Sequence, residues 1–191
     1  NGVFTWTLSD SNSDNKWDLA IAADTTSPTT TFSPANGATA VAVASDITLT
    51  FNEAVRLINN SALDDSNVDA LITLKENNSS GADIAFNATI NGGKTVITIN
   101  PDSNLSSTQV VYVAIGATVE DAANNAINAA NVSFTAADVA APTMAITSAE
   151  VSDGASSNDS TLAMTFTSSE ATSNFVVGDI SVSGGALSSF N

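Results

Sequence analysis

The side chains able to do chemistry in this chain are almost all carboxylates, hydroxyls and amides. Twenty acidic residues face four basic ones, for a formal net charge of -16, and histidine and cysteine are both absent. Without them there is no imidazole base, thiol nucleophile or disulfide, and most zinc and copper chemistry is excluded. Serine and threonine are abundant, but no Ser-His-Asp arrangement can be built. What remains is oxygen ligation of hard cations such as Ca²⁺. The most compact candidate is Asp10-Ser11-Asn12-Ser13-Asp14-Asn15-Lys16-Trp17-Asp18. Asp10, Asn12, Asp14 and Asp18 fall at positions 1, 3, 5 and 9 of an EF-hand-like loop, with Asn15 where glycine usually turns the chain. The twelfth position is Ile21, so the bidentate carboxylate is missing, and a polar hairpin loop accounts for the same residues.

Paired carboxylates for glycoside hydrolysis are conceivable, yet aromatics make up only 6% of the chain and a sugar cleft normally presents aromatic platforms. Trp6 and Trp17 stand on strands expected to pair, as core packing or as a sugar-stacking platform. The Asn-x-Ser/Thr triplets at Asn59, Asn87 and Asn131 are what chance yields in so Asn- and Ser-rich a chain. So acidic a surface repels phosphate backbones and anionic headgroups, which argues against nucleic-acid and membrane-surface partners. No apolar run approaches the roughly 20 residues of a membrane span. No signal peptide opens the chain, and Asn1 reads as a mid-protein start of something longer.

The elements that must hold these groups are strands. Asp46–Phe51 and Thr95–Ile99 alternate apolar residues with threonine or another polar residue, the pattern of a strand with one buried face. Similar runs cover 3–8, 17–22, 29–33, 70–76, 83–90, 110–116, 131–136, 143–148, 160–167 and 174–183, with a short helical turn at 61–69. Turn formers separate them, among them Pro34-Ala35-Asn36-Gly37, Asn91-Gly92-Gly93 and Gly184-Gly185. Many short strands with regular turns predict an all-β fold of antiparallel β-sandwiches.

The chain also repeats itself. Ala22-Ala23-Asp24-Thr25-Thr26-Ser27-Pro28-Thr29 returns as Ala136-Ala137-Asp138-Val139-Ala140-Ala141-Pro142-Thr143. Each copy runs through a Gly-Ala turn into a similar strand with an acidic end, Leu49-Thr50-Phe51-Asn52-Glu53 and then Met164-Thr165-Phe166-Thr167-Ser168-Ser169-Glu170. Pro28 and Pro142 stand 114 residues apart (142 − 28), one sandwich plus its linker. The expected division is therefore 1–23 as the last strands of a preceding domain, 24–137 as a complete sandwich, and 138–191 as the opening, about three strands, of another. Residues 3–22 of a neighbouring copy could complete that last piece by strand addition.

The segment Ser33-Pro34-Ala35-Asn36-Gly37-Ala38 through Asp46–Val55, with Tyr112–Ile115 and Val119–Ala126, resembles bacterial immunoglobulin-like repeats of surface-layer and adhesin proteins. Phe175–Val182 is similar to a related repeat of biofilm-associated giant adhesins. The resemblance implies tandem immunoglobulin-like sandwiches, with Ca²⁺ held by linker aspartates and by an Asp-x-x-Gly-Asn loop. Matching positions are Asp24 and Asp138 in the linkers and Asp121 with Asn124 in the loop, where Ala123 replaces the usual glycine. Glu53 and Glu170, at strand ends after each linker, are candidate partners. Acidic loop residues are also ordinary solvated turn formers, and both readings stand at this level.

The expected function is mechanical and non-catalytic: spacer repeats of a secreted bacterial cell-surface adhesin, their short proline-bearing linkers stiffened by Ca²⁺. Its partners are the neighbouring repeats and, in one alternative, other copies of itself in a surface layer or filament. A glycan- or protein-binding module is the other alternative, disfavoured by the scarcity of aromatics and arginine.

Overall fold

The computed structural model describes residues 6–9, 18–21 and 23–189. The chain divides into two compact units, Asn1–Val139 and Ala140–Asn191. The first contains a hairpin of β1 (Trp6–Ser9) and β2 (Asp18–Ile21), antiparallel with Trp6 opposite Ile21 and Ser9 opposite Asp18. These are the two strands expected there from alternation. Asp10, Asn12 and Asp14 lie outside the described residues, as does the side chain of Asp18.

The body of the first unit is a β-sandwich. One sheet is β3 (Thr30–Ser33), β4 (Ile47–Phe51), β8 (Val96–Pro101) and β7 (Phe86–Ile90), in that order. The other is β11 (Ala130–Thr135), β9 (Val110–Ile115) and β6 (Ile72–Glu76). All of these pairs are antiparallel. A small antiparallel ribbon joins β5 (Arg56–Leu57) to β10 (Val119–Glu120). Sequence reasoning missed these two, because two-residue strands carry no periodicity.

Alternation decides which side chains enter the core. Ile47, Leu49 and Phe51 of β4 and Ile97 and Ile99 of β8 face inward from one sheet, Val111, Val113 and Ile115 of β9 from the other. The threonines between them, Thr48, Thr50 and Thr98, stay on the outer face. Truncating one of these isoleucines or Leu49 to alanine in so continuous a core costs about 2–5 kcal/mol. The short helical element is a 3₁₀ turn at Asp69–Leu71, after a turn in which the Asp64 carbonyl accepts from the N–H groups of Asn67 and Val68. The strand expected from residue 83 begins at Phe86, with Asp83 bridged to Lys75. Between them Gly81 is obligatory, since a Cβ there would collide with the Glu76 carbonyl.

In the second unit β12 (Met144–Ser148) pairs antiparallel with β13 (Met164–Ser168), Ile146 opposite Phe166. The Phe166 and Phe175 rings lie 5.5 Å apart. The strand expected over 174–183 is not formed, so the described part of this unit has two strands, not three. Instead Val177–Asp179 makes a 3₁₀ turn, and the Asp179 carboxylate accepts the Val176 N–H at 3.0 Å. A local side-chain acceptor has displaced a ladder partner.

Candidate metal centre

Three of the carboxylates singled out in the sequence converge. Oxygen atoms of Asp24, Glu53 and Asp121 all lie within 4.8 Å of one another, the one such acidic group among the described residues. Asp24 comes from the segment leading into β3, Glu53 from the turn after β4, and Asp121 from the turn after β10. Residues 29 and 68 positions apart in pairs of this set meet only because the sandwich brings those turns together.

Asp121 is the anchor. It is 2% exposed, and its Oδ1 accepts the N–H groups of Ala123 and Asn125, each at 2.8 Å. Its Oδ2 accepts the Asn125 side-chain amide, also at 2.8 Å. Burial alone would push the Asp121 carboxyl up. The hydrogen bonds from Asn125 and Ala123, with the charge of Arg56, outweigh burial and hold it below the usual carboxylate value. A carboxylate offers about four acceptor positions, so three bonds leave Oδ2 able to take one more partner.

Arg56 supplies a counter-charge. Its Nε donates to Glu120 Oε1 at 3.2 Å, and its terminal nitrogen donates to Asn124 Oδ1 at 3.0 Å and to the Ala122 carbonyl at 3.4 Å. Glu120 is itself buried, 5% exposed, so Arg56 neutralises it and braces the 121–125 loop at once. Asn124, expected beside the carboxylates, turns its oxygen to Arg56. The left-handed residue of the loop is also Asn124, with φ 71°, and not Ala123; asparagine tolerates that conformation, so the missing glycine costs little.

Asp24 is exposed, and its Oδ1 accepts the Thr26 N–H at 2.9 Å while its backbone carbonyl accepts the Asn125 amide at 3.0 Å. Glu53 is half-buried. Asp138 stands apart from this group, its Oδ1 accepting from the Ser107 hydroxyl at 2.7 Å. Glu170 lies in the second unit, exposed, its N–H on the Ser168 hydroxyl at 3.4 Å. Asn125 and Arg56 were not singled out from the sequence; the available signal was the four-residue spacing of Asp121 and Asn125, one position beyond the Asp121–Asn124 pattern.

The donor set fits a hard cation. All three ligands are carboxylate oxygens, and Ca²⁺ takes oxygens at about 2.3–2.6 Å, so two ligands of one ion can stand up to about 5 Å apart. The 4.8 Å limit lies within that reach. Ca²⁺ fills six to eight positions, so backbone carbonyls or water would supply the rest.

A family model described as a bacterial Ig-like domain matches residues 24–136, and a second with the same description matches 138–191. The chain belongs to the bacterial Ig-like domain family. These domains stand in tandem, so each has a neighbouring repeat in the same chain. No curated protein matches the sequence. Among solved structures, the chain is similar to the LD-transpeptidase LdtMt1 in complex with imipenem, at 19% identity and a TM-score of 0.37, over 58% of this chain and 40% of that one. CopC from Methylosinus trichosporium OB3b is similar at 14% identity and a TM-score of 0.40, over 61% of this chain and 98% of that one. Domains 1–6 of the surface-layer protein SbsC are similar at 12% identity and a TM-score of 0.39, over 63% of this chain and 15% of that one. The chain thus spans about two fifths of the first of these structures and a small part of the last. Likeness this distant has no bearing on what the bacterial Ig-like chain does. No helix among the described residues is long and apolar enough to cross a membrane.

Proposed function

We propose that the chain is a non-catalytic spacer from a bacterial cell-surface adhesin, displayed outside the cell and stiffened by Ca²⁺ at Asp24, Glu53 and Asp121. The observation that carries this reading is that a linker residue, Asp24, shares one carboxylate group with two loops of the domain it leads into. A cation there would add a bond between the linker and two loops of the domain, reinforcing that junction. Residues 24–137 serve as one complete repeat, 1–23 as the end of the preceding one and 138–191 as the start of the next. Asp138 and Glu170 are the corresponding linker and strand-end residues of that next repeat. The absence of histidine and cysteine supports a role without turnover.

Calorimetric titration of the chelator-stripped chain with Ca²⁺, and with Mg²⁺ for comparison, tests the reading. One Ca²⁺-selective site is expected, weakened at least tenfold in Asp24→Asn and in Glu53→Gln. Heat from Ca²⁺ that survives both substitutions would move the site elsewhere, and no heat at all would remove the cation from the account.

A further inference from the structure

The segment 24–29 is bonded to the sandwich at both ends by asparagine side chains. At its far end the Thr29 N–H donates to Asn52 Oδ1 at 2.6 Å, and the Asn52 N–H donates back to the Thr29 carbonyl at 3.3 Å. At its near end the Asn125 amide donates to the Asp24 carbonyl at 3.0 Å and to Asp121 Oδ2 at 2.8 Å, joining linker to buried anchor. Between these points Pro28 is buried, with its φ fixed by the ring.

The far clasp occurs twice. In the second unit the Thr143 N–H donates to the Ser169 hydroxyl at 2.9 Å, and the Ser169 N–H donates back to the Thr143 carbonyl at 2.9 Å. Both threonines follow a proline, Pro28 and Pro142, and both clasp residues precede a glutamate, Glu53 and Glu170. The side chains differ, an amide in one and a hydroxyl in the other, while the reciprocal bonding is the same. Recurrence with different chemistry marks the bonding pattern as a feature of the repeat.

We propose that Asn52 and Asn125 form a metal-independent latch that holds residues 24–29 as a fixed part of the domain following them, with Asn125 as the positioning residue that keeps Asp24 beside Asp121. The latch needs no cation. It stands whether or not Ca²⁺ binds, and a cation arriving at Asp24 would find its linker ligand already held, with less ordering left to do.

The test is backbone relaxation and amide exchange of the full chain by NMR in EDTA, which keeps its outcome separate from the calcium reading. In the wild type, residues 24–29 are expected to be as ordered as β3 and β4. Asn52→Ala should free the Thr29 amide to exchange roughly tenfold faster. Asn52→Ser should restore protection, because serine makes the same clasp in the second unit. Asn125→Ala should raise mobility around Asp24 with the β4 and β8 signals unmoved. A wild-type linker already mobile in EDTA would overturn the latch, and that measurement needs no variant. So would a linker that stays ordered in the Asn52→Ala/Asn125→Ala double variant.

Discussion

Asn125 holds both oxygens of the Asp121 carboxylate, Oδ1 through its backbone N–H and Oδ2 through its side-chain amide, each at 2.8 Å. This arrangement makes the folded state prefer the ionised acid, and a pH dependence follows. The folded Asp121 pKa is lowered from the ordinary 3.8. Its contribution to stability is therefore complete above about pH 4 and is lost as pH falls below that toward the folded value. In EDTA, urea midpoints should decline with acid more steeply in the wild type than in Asp121→Asn. Parallel curves would contradict the assignment.

Arg56 is expected to be the most costly basic residue to remove. It pairs with Glu120, whose side chain is only 7% exposed, and Arg56→Met strands that charge. A loss of about 2–4 kcal/mol is expected from urea unfolding at neutral pH. Arg56→Lys should recover only part of it, because an ammonium cannot hold Glu120, Asn124 and the Ala122 carbonyl in one planar fork. Full recovery by lysine would mean that charge alone matters.

The outer edge of the four-stranded sheet is closed by two aspartates. The Ala88 N–H donates to Asp69 Oδ1 at 2.7 Å and the Ile90 N–H to Asp65 Oδ1 at 2.8 Å, so β7 offers no free ladder at these positions. The Asp65→Ala/Asp69→Ala variant should lose about 1–3 kcal/mol per stranded N–H and associate as concentration rises. Light scattering after size exclusion reads the second effect. A variant as stable and as monomeric as the wild type would show that the edge needs no cover.

Thr30 carries the opposite lesson. Its hydroxyl is buried with no hydrogen-bond partner among the described residues. Thr30→Val keeps the shape and removes the unpaired group, and it should raise stability by about 0.5–1 kcal/mol, seen as a higher melting temperature. A lower one would mean that the hydroxyl has a partner in solution.

Strands such as Ile47–Phe51 and Val96–Pro101 were legible in the sequence because one face is buried and the period of two is unbroken. Residues 174–183 misled for the opposite reason. Phe175, Val176 and Val177 are apolar and β-prone, but Asp179 accepts the Val176 N–H and turns the chain. Asp24, Glu53 and Asp121 could be named one by one as acidic residues at loop and strand ends. Their convergence is a tertiary fact, and the repeat alone pointed equally to Asp138, which bonds Ser107 instead. Asn125 and Asn52 escaped notice because asparagine is an ordinary turn former, and a turn position alone assigns it no partner. Only the partner across the fold makes either one a latch.

The most direct test of the central claim is thermal unfolding of the full chain in EDTA and then in millimolar Ca²⁺, with Mg²⁺ as control. A ligand that binds only the folded state at a hundredfold excess over its Kd stabilises by about 2.7 kcal/mol, a shift of several degrees at this size. A Ca²⁺-specific rise that disappears in Asp24→Asn, with residues 24–29 ordered in both states, is the predicted result. Identical melting in EDTA and Ca²⁺ would contradict the calcium-stiffened spacer and leave Asp24 and Glu53 as acidic side chains beside a buried Asp121 that serves only to brace its own loop.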